Sequence, residues 1–503
     1  MTLTPLPLKI RWTIFGFIAL LALGVRLPQL GVRPMHTDES INAYLTGQLL
    51  AGGSFHYDPR DRHGPGLFVV AEPVVRLLGA ENFSGLTETE LRLVPVIAGT
   101  ITVLLFGVGV EMFGFIPCLV AALLFAFGPP AVYYDRYFIH ESWFVCATFG
   151  LILAGWRMLK TNAILPAALA GFCAAFMLAC KETAVIHFFA ITAALLGGQR
   201  LRQKTGLPAG RLRWRTSLTA AGFFTFTVVL LFTWFGRNWP VFSDLLRAIP
   251  NFTARAGGEG HEKPFWYYAV LLGGGWSGAD ILLAAGMGFW RIVFRPASGS
   301  GPVLALYALL IFAIYSAIPY KTPWLALNFW LPLALLAGYA VEWFWLGVPK
   351  FSARMLILCL LAVLGVLIFH DTRERVFLMP ADEKNPYAYA HTGEDLLRLP
   401  GRLEELVRQE KIPNPRIAVV AADPWPLPWY LRKFPQVGFW QPGQDAGAAD
   451  LYLTSTDVPV GLANRLKNFR PEFFGWRPNV LLILWVPLNE PPGPSPPPTS
   501  PTP

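Results

Sequence analysis

The sequence predicts an α-helical polytopic membrane protein of about 11 transmembrane helices, followed by a C-terminal extracytoplasmic α/β domain. Hydrophobic residues make up 54% of the chain and charged residues only 15%, well below the quarter that soluble domains carry. The apolar residues occur in blocks of about 17 to 25, the length that a helix needs to cross a bilayer. From about Asp371 the composition changes to that of a soluble domain.

The predicted spans lie in residues 1–370, which we expect to form one transmembrane domain. Lys9 and Arg11 precede the first apolar block and no small-residue cleavage site follows it, so we predict an uncleaved signal anchor. The spans are expected at residues 12–30, 92–112, 114–134, 142–159, 163–180, 183–198, 216–236, 265–290, 301–318, 323–345 and 354–370.

One further apolar segment, residues 64–79, is predicted to be an interfacial helix and not a span. It carries Glu72, Pro73 and Arg76, and each charge at the centre of a transmembrane helix costs about 2.5–3.5 kcal/mol. The strongly basic loop 199–215 is then cytoplasmic, as the positive-inside rule requires. We therefore expect a multi-pass plasma- or inner-membrane protein with a cytoplasmic N-terminus, and with the first loop (31–91) and the C-terminal domain on the extracytoplasmic side.

The C-terminal domain is expected to cover residues 371–490. Its hydrophobic pattern predicts helical segments at 394–410 and 429–433 and strands at 416–421, 449–454 and 480–486. The Pro-, Ser- and Thr-rich tail, residues 491–503, is expected to be disordered.

Composition also argues against several functional classes. The net charge of +9 does not indicate nucleic-acid binding, because the basic residues lie in short loops between apolar blocks. The five cysteines lie in apolar blocks without a C-x-x-C pair, which argues against structural zinc and a disulfide framework. The sequence contains no Gly-rich phosphate-binding loop, so a soluble nucleotide substrate is not indicated.

The unusual polar residues of the transmembrane domain fall on its predicted outer face. They occur in four segments, namely His36-Thr37-Asp38-Glu39, Arg136-Tyr137-Phe138-Ile139-His140-Glu141, Lys181-Glu182 and Tyr320-Lys321-Thr322. Ionisable groups at membrane depth are costly, so each is a candidate functional residue. The alternative is an ion-paired lid that holds the spans in register.

The neighbouring carboxylates Asp38 and Glu39 suit a general base or a metal site, because a like charge raises the pKa of one of them. The cations Arg136, Lys181 and Lys321 can bind phosphate, and an arginine does so through bidentate hydrogen bonds. A base, phosphate-binding cations and a site open to the membrane are what sugar transfer from a phosphate-linked carrier requires.

Four further residues are candidates for supporting roles, namely His36, His63, His140 and Glu182. The three imidazoles are possible metal ligands, but each taken alone is more often a plain interfacial histidine.

These segments resemble a known group, the lipid-dependent membrane glycosyltransferases of the C-type (GT-C) fold, which include protein O-mannosyltransferases and aminoarabinose transferases. Within that group the chain is most similar to the flippase activity-associated family. The similar motifs are His36-Thr37-Asp38-Glu39, His63-Gly64-Pro65, Arg136-Tyr137-Phe138-Ile139-His140-Glu141, Lys181-Glu182-Thr183, Lys321-Thr322-Pro323-Trp324, Asn385-Pro386-Tyr387-Ala388-Tyr389-Ala390-His391-Thr392 and Asp423-Pro424-Trp425-Pro426-Leu427-Pro428-Trp429-Tyr430.

The resemblance implies a polyprenyl-phosphate sugar donor and a first-loop base at Asp38, with Glu39 as its supporting partner. It also implies that Glu141 assists with a metal or with the acceptor, so that Mg²⁺ or Mn²⁺ is a candidate cofactor. The wider group often carries Asp where this chain has Glu141.

The leading hypothesis is a glycosyltransferase that acts on a glycan, lipid or protein acceptor within a lipid membrane. A transporter or flippase component would use the same cations, but it would favour paired broken helices, for which Pro129-Pro130 and Gly273-Gly274-Gly275 are the candidates. A third hypothesis is a non-catalytic scaffold whose outer domain binds a partner.

An acceptor site is predicted in the outer domain at Asp423, Trp425 and Trp429. These residues follow a predicted buried strand, where open α/β sheets tend to bind ligands, and their rings and carboxylate suit a glycan. The alternative is a rigid Pro/Trp plug that packs this domain onto the membrane part.

Overall fold

The computed structural model describes residues 7–59, 63–203, 213–255, 257, 260–294, 300–409 and 414–488, and the chain forms two compact units. The first unit comprises Met1–Val32, Leu45–Pro380 and Lys384–Tyr389, and the second comprises Arg33–Tyr44, Ala381–Glu383 and Ala390–Pro503. This division differs from the boundary expected at residue 371, because residues 33–44 of the first loop join the C-terminal unit. The predicted tail 491–503 and most of the basic loop 199–215 lie outside the described residues.

Helices make up the first unit, and α2 begins in the second unit and ends in the first. They are α1 Leu8–Arg26, α2 Thr37–Leu50, α3 Gly66–Leu77, α4 Glu88–Phe113, α5 Phe115–Phe127, α6 Pro129–Tyr134, α7 Glu141–Thr161, α8 Ile164–Cys180, α9 Ala184–Gln203, α10 Trp214–Phe232, α11 Val241–Arg255, α12 Tyr267–Gly273, α13 Gly278–Phe294, α14 Gly301–Ala317, α15 Ala326–Gly347 and α16 Phe351–Thr372. Short 3₁₀ turns lie at Phe83–Gly85 and Pro323–Leu325, and a π-helical turn at Arg373–Leu378 extends α16.

The length and hydropathy of these helices are those of an integral membrane protein. Within the described residues, six helical segments are long and apolar enough to cross a membrane, and a bent pair adds a seventh. Four shorter apolar helices, α5, α8, α14 and the first part of α9, coincide with the other predicted spans. Each predicted span therefore corresponds to an apolar helix or a broken pair, and the exact number that crosses the membrane remains a prediction.

The span predicted at 265–290 is not one continuous helix, because the chain there forms two helices, α12 and α13, bent by 114°. Three successive glycines interrupt the helix, and Gly275 adopts a positive φ of +82° that other residues rarely adopt. Asp371 then accepts hydrogen bonds from the Trp276 and Ser277 amides and from the Ser277 hydroxyl, at 2.6 to 2.9 Å. This carboxylate satisfies the amides at the start of α13 that a broken helix leaves without partners.

The segment predicted to be interfacial does form a helix, α3. Its 12 residues measure about 18 Å, too short to cross a hydrocarbon core of about 30 Å. Glu72 and Arg76 form an (i, i+4) ion pair on its surface. Its location at the membrane interface remains a prediction.

The second unit contains a five-stranded mixed sheet. Its elements are the 3₁₀ turn Glu394–Arg398, α17 Leu399–Gln409, β1 Ile417–Val420, α18 Leu427–Tyr430, β2 Val437–Trp440, β3 Leu451–Ser455, α19 Val460–Ala463, the 3₁₀ turn Arg465–Asn468, β4 Phe469–Arg477 and β5 Val480–Pro487. The strand order is β2-β1-β3-β5-β4, with β1 parallel to β2 and β3, and β5 antiparallel to β3 and β4. Ala418, Val420 and Tyr452 form a core with Leu462 and Leu466.

The three predicted strands of this unit are present, but β2 and β4 were not predicted from the sequence. β4 contains Pro471, which is tolerated because β4 is an edge strand. The helix predicted at 429–433 is instead α18, which ends at Tyr430. The segment predicted as a helix at 394–410 begins with a 3₁₀ turn and continues as α17.

Candidate active site

The acidic pair Asp38-Glu39 lies in the first turn of α2, where the helix dipole favours negative charge. His36 precedes the helix, and its Nδ1 accepts a hydrogen bond from the Asp38 amide at 3.0 Å. In return, Glu39 Oε2 accepts one from the His36 amide at 3.2 Å. This reciprocal pattern resembles a capping box, with histidine in place of the usual Ser or Thr and with its ring bound to the second helical amide and not the third.

The two carboxylates have different environments. The Glu39 side chain is 0% exposed, and its Oε1 lies 3.2 Å from Nη2 of Arg33, which is itself buried. The Asp38 side chain is 43% exposed. Glu39 is therefore held inside the fold by a cap and an ion pair, whereas the carboxylate of Asp38 is accessible to a reactant. Arg33 was not identified as a site residue from the sequence. The only indication was a basic residue six positions before Glu39, close enough in sequence to pair with it.

A second group of predicted site residues comes together in the first unit. Glu141 is the first residue of α7 and Lys181 directly follows α8, and their side chains form a buried ion pair. Glu182, the next residue, accepts hydrogen bonds from the Tyr57 hydroxyl at 2.8 Å and from His63 Nδ1 at 2.9 Å. Residues that are far apart in sequence thus form one polar cluster around the Lys181-Glu182 motif.

The charge state of Glu182 follows from these contacts. Burial by itself would raise the pKa of Glu182, but the His63 charge and the hydrogen bonds from His63 and Tyr57 lower it to about 2. The carboxylate is therefore ionised throughout the physiological pH range. Tyr57 is a cluster member that no sequence motif indicated.

His140 contributes a neutral imidazole to the same cluster. Its ring lies 5.3 Å from the ring of His63, and its Nε2 is buried with no hydrogen-bond partner among the described residues. Burial lowers the pKa of His140 well below its ordinary value, and the positive charges of His63 and Lys181 act in the same direction. A buried polar atom without a partner is rare in proteins, so this nitrogen is a candidate ligand atom.

Close backbone packing explains why His63 is followed by Gly64-Pro65-Gly66. A Cβ on Gly64 would overlap the carbonyl oxygen of Ala179, and one on Gly66 would lie 2.8 Å from Cys180 Sγ. Only glycine lets this backbone approach the end of α8 so closely. The motif thereby brings His63 to Glu182.

Arg136, predicted to bind phosphate, has other partners. Its Nη1 donates to the carbonyl oxygens of Arg26 and Pro28 at 2.7 and 2.6 Å, and its Nη2 donates to that of Gln29 at 3.1 Å. These carbonyls lie at the end of α1 and just beyond it, where backbone acceptors lack helical partners. The contacts indicate a structural role for Arg136 as a cap on α1, which differs from the ion-paired lid considered from the sequence.

Lys321 is also committed to backbone contacts. Its Nζ donates to the carbonyl oxygen of Lys263 at 3.1 Å and to that of Ile318, and its amide donates to the His261 carbonyl at 3.0 Å. The described contacts do not join Lys321 or Arg136 to the Lys181 cluster.

The predicted acceptor residues of the second unit divide into two kinds. Trp429 is fully buried, and the Arg432 guanidinium lies 3.6 Å above its ring. Trp429 therefore belongs to the domain core, and its prediction as a glycan-binding ring is corrected. Asp423 is half-exposed and pairs with Arg477 at 2.8 Å, while Trp425 packs its ring against Tyr44. These two residues remain candidates for a glycan site.

Among the described residues, one further group of side chains lies close enough together to hold a metal ion. His370, Asp371 and Glu374 each place a ligand atom within 4.8 Å of the others. Both Asp371 oxygens already accept hydrogen bonds at the start of α13, so the geometry fits a helix anchor.

Comparison with known proteins adds evidence on the fold. A family profile described as dolichyl-phosphate-mannose-protein mannosyltransferase matches residues 72–233, which is less than half of the chain. ArnT from Cupriavidus metallidurans bound to undecaprenyl phosphate is 14% identical, with 93% of this chain and 97% of that chain covered at a TM-score of 0.65. The fold is that of the GT-C membrane glycosyltransferases.

Other solved structures support this fold. The apo state of the same ArnT gives a TM-score of 0.62 at 15% identity, with 93% and 98% coverage. Archaeal oligosaccharyltransferase AglB from Archaeoglobus fulgidus, in complex with an inhibitory peptide and a dolichol-phosphate, is 13% identical, with 93% of this chain and 74% of that chain covered at a TM-score of 0.54. A search of curated proteins finds no match. The predicted fold class is confirmed.

Proposed function

We propose that this protein is a membrane glycosyltransferase that transfers a sugar from a polyprenyl-phosphate donor to an acceptor on the extracytoplasmic face. The observation that carries the proposal is the difference between the two neighbouring carboxylates. Glu39 is buried and ion-paired, whereas Asp38 is accessible. The matched mannosyltransferase profile and the lipid phosphates in the ArnT and AglB structures support the same donor class.

Asp38 is the general base in this proposal. Its carboxylate accepts the proton of the acceptor nucleophile as that atom attacks the anomeric carbon of the sugar. The bond between the anomeric carbon and the phosphate oxygen breaks, and polyprenyl phosphate leaves with the bonding electrons. Losing a general base typically lowers the rate by about 10²- to 10⁴-fold.

Lys181 is the leading candidate to bind the donor phosphate. An ammonium group has three N–H donors, and the described contacts of Lys181 use one of them on Glu141. Lys321 uses two of its three N–H donors on backbone carbonyls, and Arg136 binds three carbonyls at the end of α1 and just beyond it, so both side chains are held by the backbone. Phosphate binding by Lys181 also requires that Glu141 tolerate a nearby anion, which a bound cation would permit.

A divalent cation fits one feature of the Lys181 cluster. The Nε2 atom of His140 is buried, has no partner among the described residues and belongs to a neutral ring, which is what a metal ligand requires. His140 with the neighbouring Glu141 would hold such an ion. Bound Mg²⁺ or Mn²⁺ would stabilise negative charge on the leaving phosphate.

The deciding experiment compares Asp38→Asn with wild type. Purified protein in liposomes is incubated with radiolabelled undecaprenyl-phosphate sugars and a panel of glycan, lipid and peptide acceptors. We expect Asp38→Asn to lose about 10²- to 10⁴-fold in kcat with donor affinity within a few-fold, because the change removes basicity and nearly preserves shape. Asp280→Asn, an exposed first-turn acid of α13, is the matched control.

Glu39→Gln separates the two carboxylates further. It replaces the charged acceptor of the Arg33 and His36 hydrogen bonds by a neutral amide, so we expect a loss of about 1.5–3 kcal/mol in unfolding free energy. Asp38→Asn should leave the unfolding temperature nearly unchanged. Normal turnover by Asp38→Asn would show that Asp38 is not the base.

The bend between α12 and α13 supports a second candidate function, a transporter or flippase component for lipid-linked sugars. Transporters place discontinuous helices at their substrate sites. If wild-type protein turns over none of the donors but moves a fluorescent undecaprenyl-phosphate sugar across reconstituted vesicles, the transporter function is the correct one.

A further inference from the structure

The segment that carries Asp38 belongs to the second compact unit, although it lies more than 340 residues before the main part of that unit. Residues 33–44 form this segment, which we name the acidic segment. Its described contacts include those of two motifs, made by His391 and Thr392 in one and by Tyr430 in the other, to which the proposed function assigns no role. These motifs therefore need an explanation of their own.

Both polar backbone atoms of Met35 are bound by side chains of the C-terminal part. The Met35 amide donates to the Tyr430 hydroxyl at 2.9 Å, and the Met35 carbonyl accepts from Thr392 Oγ1 at 2.6 Å. Met35, Thr392 and Tyr430 are all buried. Because both bonds are made to main-chain atoms, they fix the path of the chain and do not depend on which side chain occupies position 35.

Two ring contacts extend this attachment on either side of Asp38. The His36 and His391 rings lie 5.3 Å apart, and the Tyr44 and Trp425 rings lie 5.9 Å apart in an edge-to-face arrangement. The ring of His36 in turn accepts a hydrogen bond from the Asp38 amide. Tyr430 and Thr392 are thus connected to Asp38 through Met35 and His36.

We infer that Tyr430 and Thr392 are positioning residues that hold the acidic segment so that the Asp38 carboxylate is set for proton transfer. The inference rests on the proposed function of Asp38 as the base. Neither residue touches the reacting atoms in this inference. A misplacement of about 1 Å in a catalytic group can cost about 10²-fold in rate, so a loosened segment lowers kcat.

Hydrogen exchange measures the attachment without any substrate. The full-length protein in lipid nanodiscs is compared with Tyr430→Phe and Thr392→Val, and peptides that cover residues 33–44 are followed. We expect exchange in the acidic segment, including the Ser40 amide that bonds the His36 carbonyl, to become about 3- to 10-fold faster in both variants.

Matched variants serve as controls for the exchange experiment. Tyr452→Phe removes another buried hydroxyl of the same unit that bonds backbone atoms, those of Gly447 and Ala449, and should leave the acidic segment unchanged. Thr392→Ser keeps the hydroxyl and should retain the slow exchange that Thr392→Val loses.

Kinetics then test positioning with the best donor of the undecaprenyl-phosphate panel. We expect kcat to fall about 5- to 50-fold in Tyr430→Phe and Thr392→Val, with the donor KM within about two-fold and with activity restored in Thr392→Ser. Adding Tyr430→Phe to Asp38→Asn should cause no further loss, because the residue acts through Asp38.

Three outcomes would overturn the inference. Unchanged exchange of the acidic segment in both variants would show that the two hydroxyls do not hold it. Faster exchange with an unchanged kcat would show attachment without positioning. Full activity of Asp38→Asn together with faster exchange would instead locate the failure in the base assignment, because attachment is measured independently of turnover.

Discussion

At the scale of single residues, the sequence identifies the acidic pair but does not show which carboxylate is buried and which is accessible. Asp38 and Glu39 are neighbours of nearly equal chemistry, and on a helix their side chains point about 100° apart. Which one turns inward is decided by Arg33 and by the His36 cap, which form only when α2 begins at Thr37. The role of Arg136 could not be predicted for a similar reason. Its partners are backbone carbonyls, and a sequence motif describes only side chains.

The Lys181–Glu141 ion pair gives a residue-scale prediction that separates stability from ligand binding. Lys181→Met leaves the Glu141 charge buried and unpaired, which should cost about 3–5 kcal/mol of unfolding free energy. Adding Glu141→Gln removes that charge and should restore much of the stability. Undecaprenyl-phosphate binding should stay weak in the double variant, because the cation is still absent. Thermal unfolding and lipid binding are measured on both. Wild-type lipid affinity in the double variant would exclude Lys181 as a phosphate ligand.

The low pKa of Glu182 predicts a pH dependence of stability. In the folded state this pKa is about 2, below the ordinary value of 4.5. The unfolded chain therefore binds a proton first as pH falls, so the stabilisation is full above about pH 4.5 and is lost towards pH 2. We expect the difference in unfolding temperature between wild type and Glu182→Gln to be largest above pH 5 and to shrink on acidification. A difference independent of pH would contradict the ionised Glu182.

At the scale of elements, the glycines after His63 should be intolerant of a side chain. Gly64→Ala places a Cβ against the Ala179 carbonyl, so backbone atoms must shift, and we expect a loss of about 1–3 kcal/mol. Gly24→Ala in α1 is the control, because a Cβ there meets nothing within 4 Å. Its helix should be unchanged or slightly more stable. Equal unfolding temperatures for the two variants would contradict the close packing of the His63 motif on α8.

The elements themselves were predictable where their signal is local. The long apolar helices follow from composition and length, and the buried strand β1 from its run of apolar residues. The bend between α12 and α13 involves Asp371, which accepts hydrogen bonds from amides about 95 residues earlier in the chain. The three glycines therefore indicate where the helix can break but do not give the angle between its two parts. Strand β4 exists because β5 offers it an antiparallel partner, which overrides the poor strand propensity of Pro471.

At the scale of the whole molecule, the orientation in the membrane remains a prediction that rests on the basic loop 199–215. We expect Gly206→Cys to resist an impermeant thiol reagent in intact cells and Gly461→Cys to react. Gly461 suits the test because a Cβ there meets nothing within 4 Å. Both changes are made with Cys359→Ser, since Cys359 is the exposed native thiol of the described residues. Labelling of the cysteine at position 206 would show that this loop is extracytoplasmic, which is the reverse of the predicted orientation.

The two bonds to Met35 also set an order of events during synthesis. Tyr430 emerges from the ribosome 395 residues after Met35 and Thr392 357 residues after it. At about 5–20 residues per second, the acidic segment waits for about 20–80 s before its partners exist. A nascent or prematurely terminated chain that lacks residues 391–430 lacks the two hydroxyls that bind Met35. In the proposed function, competence for chemistry is thus the last property that the chain acquires, after its helices have been made.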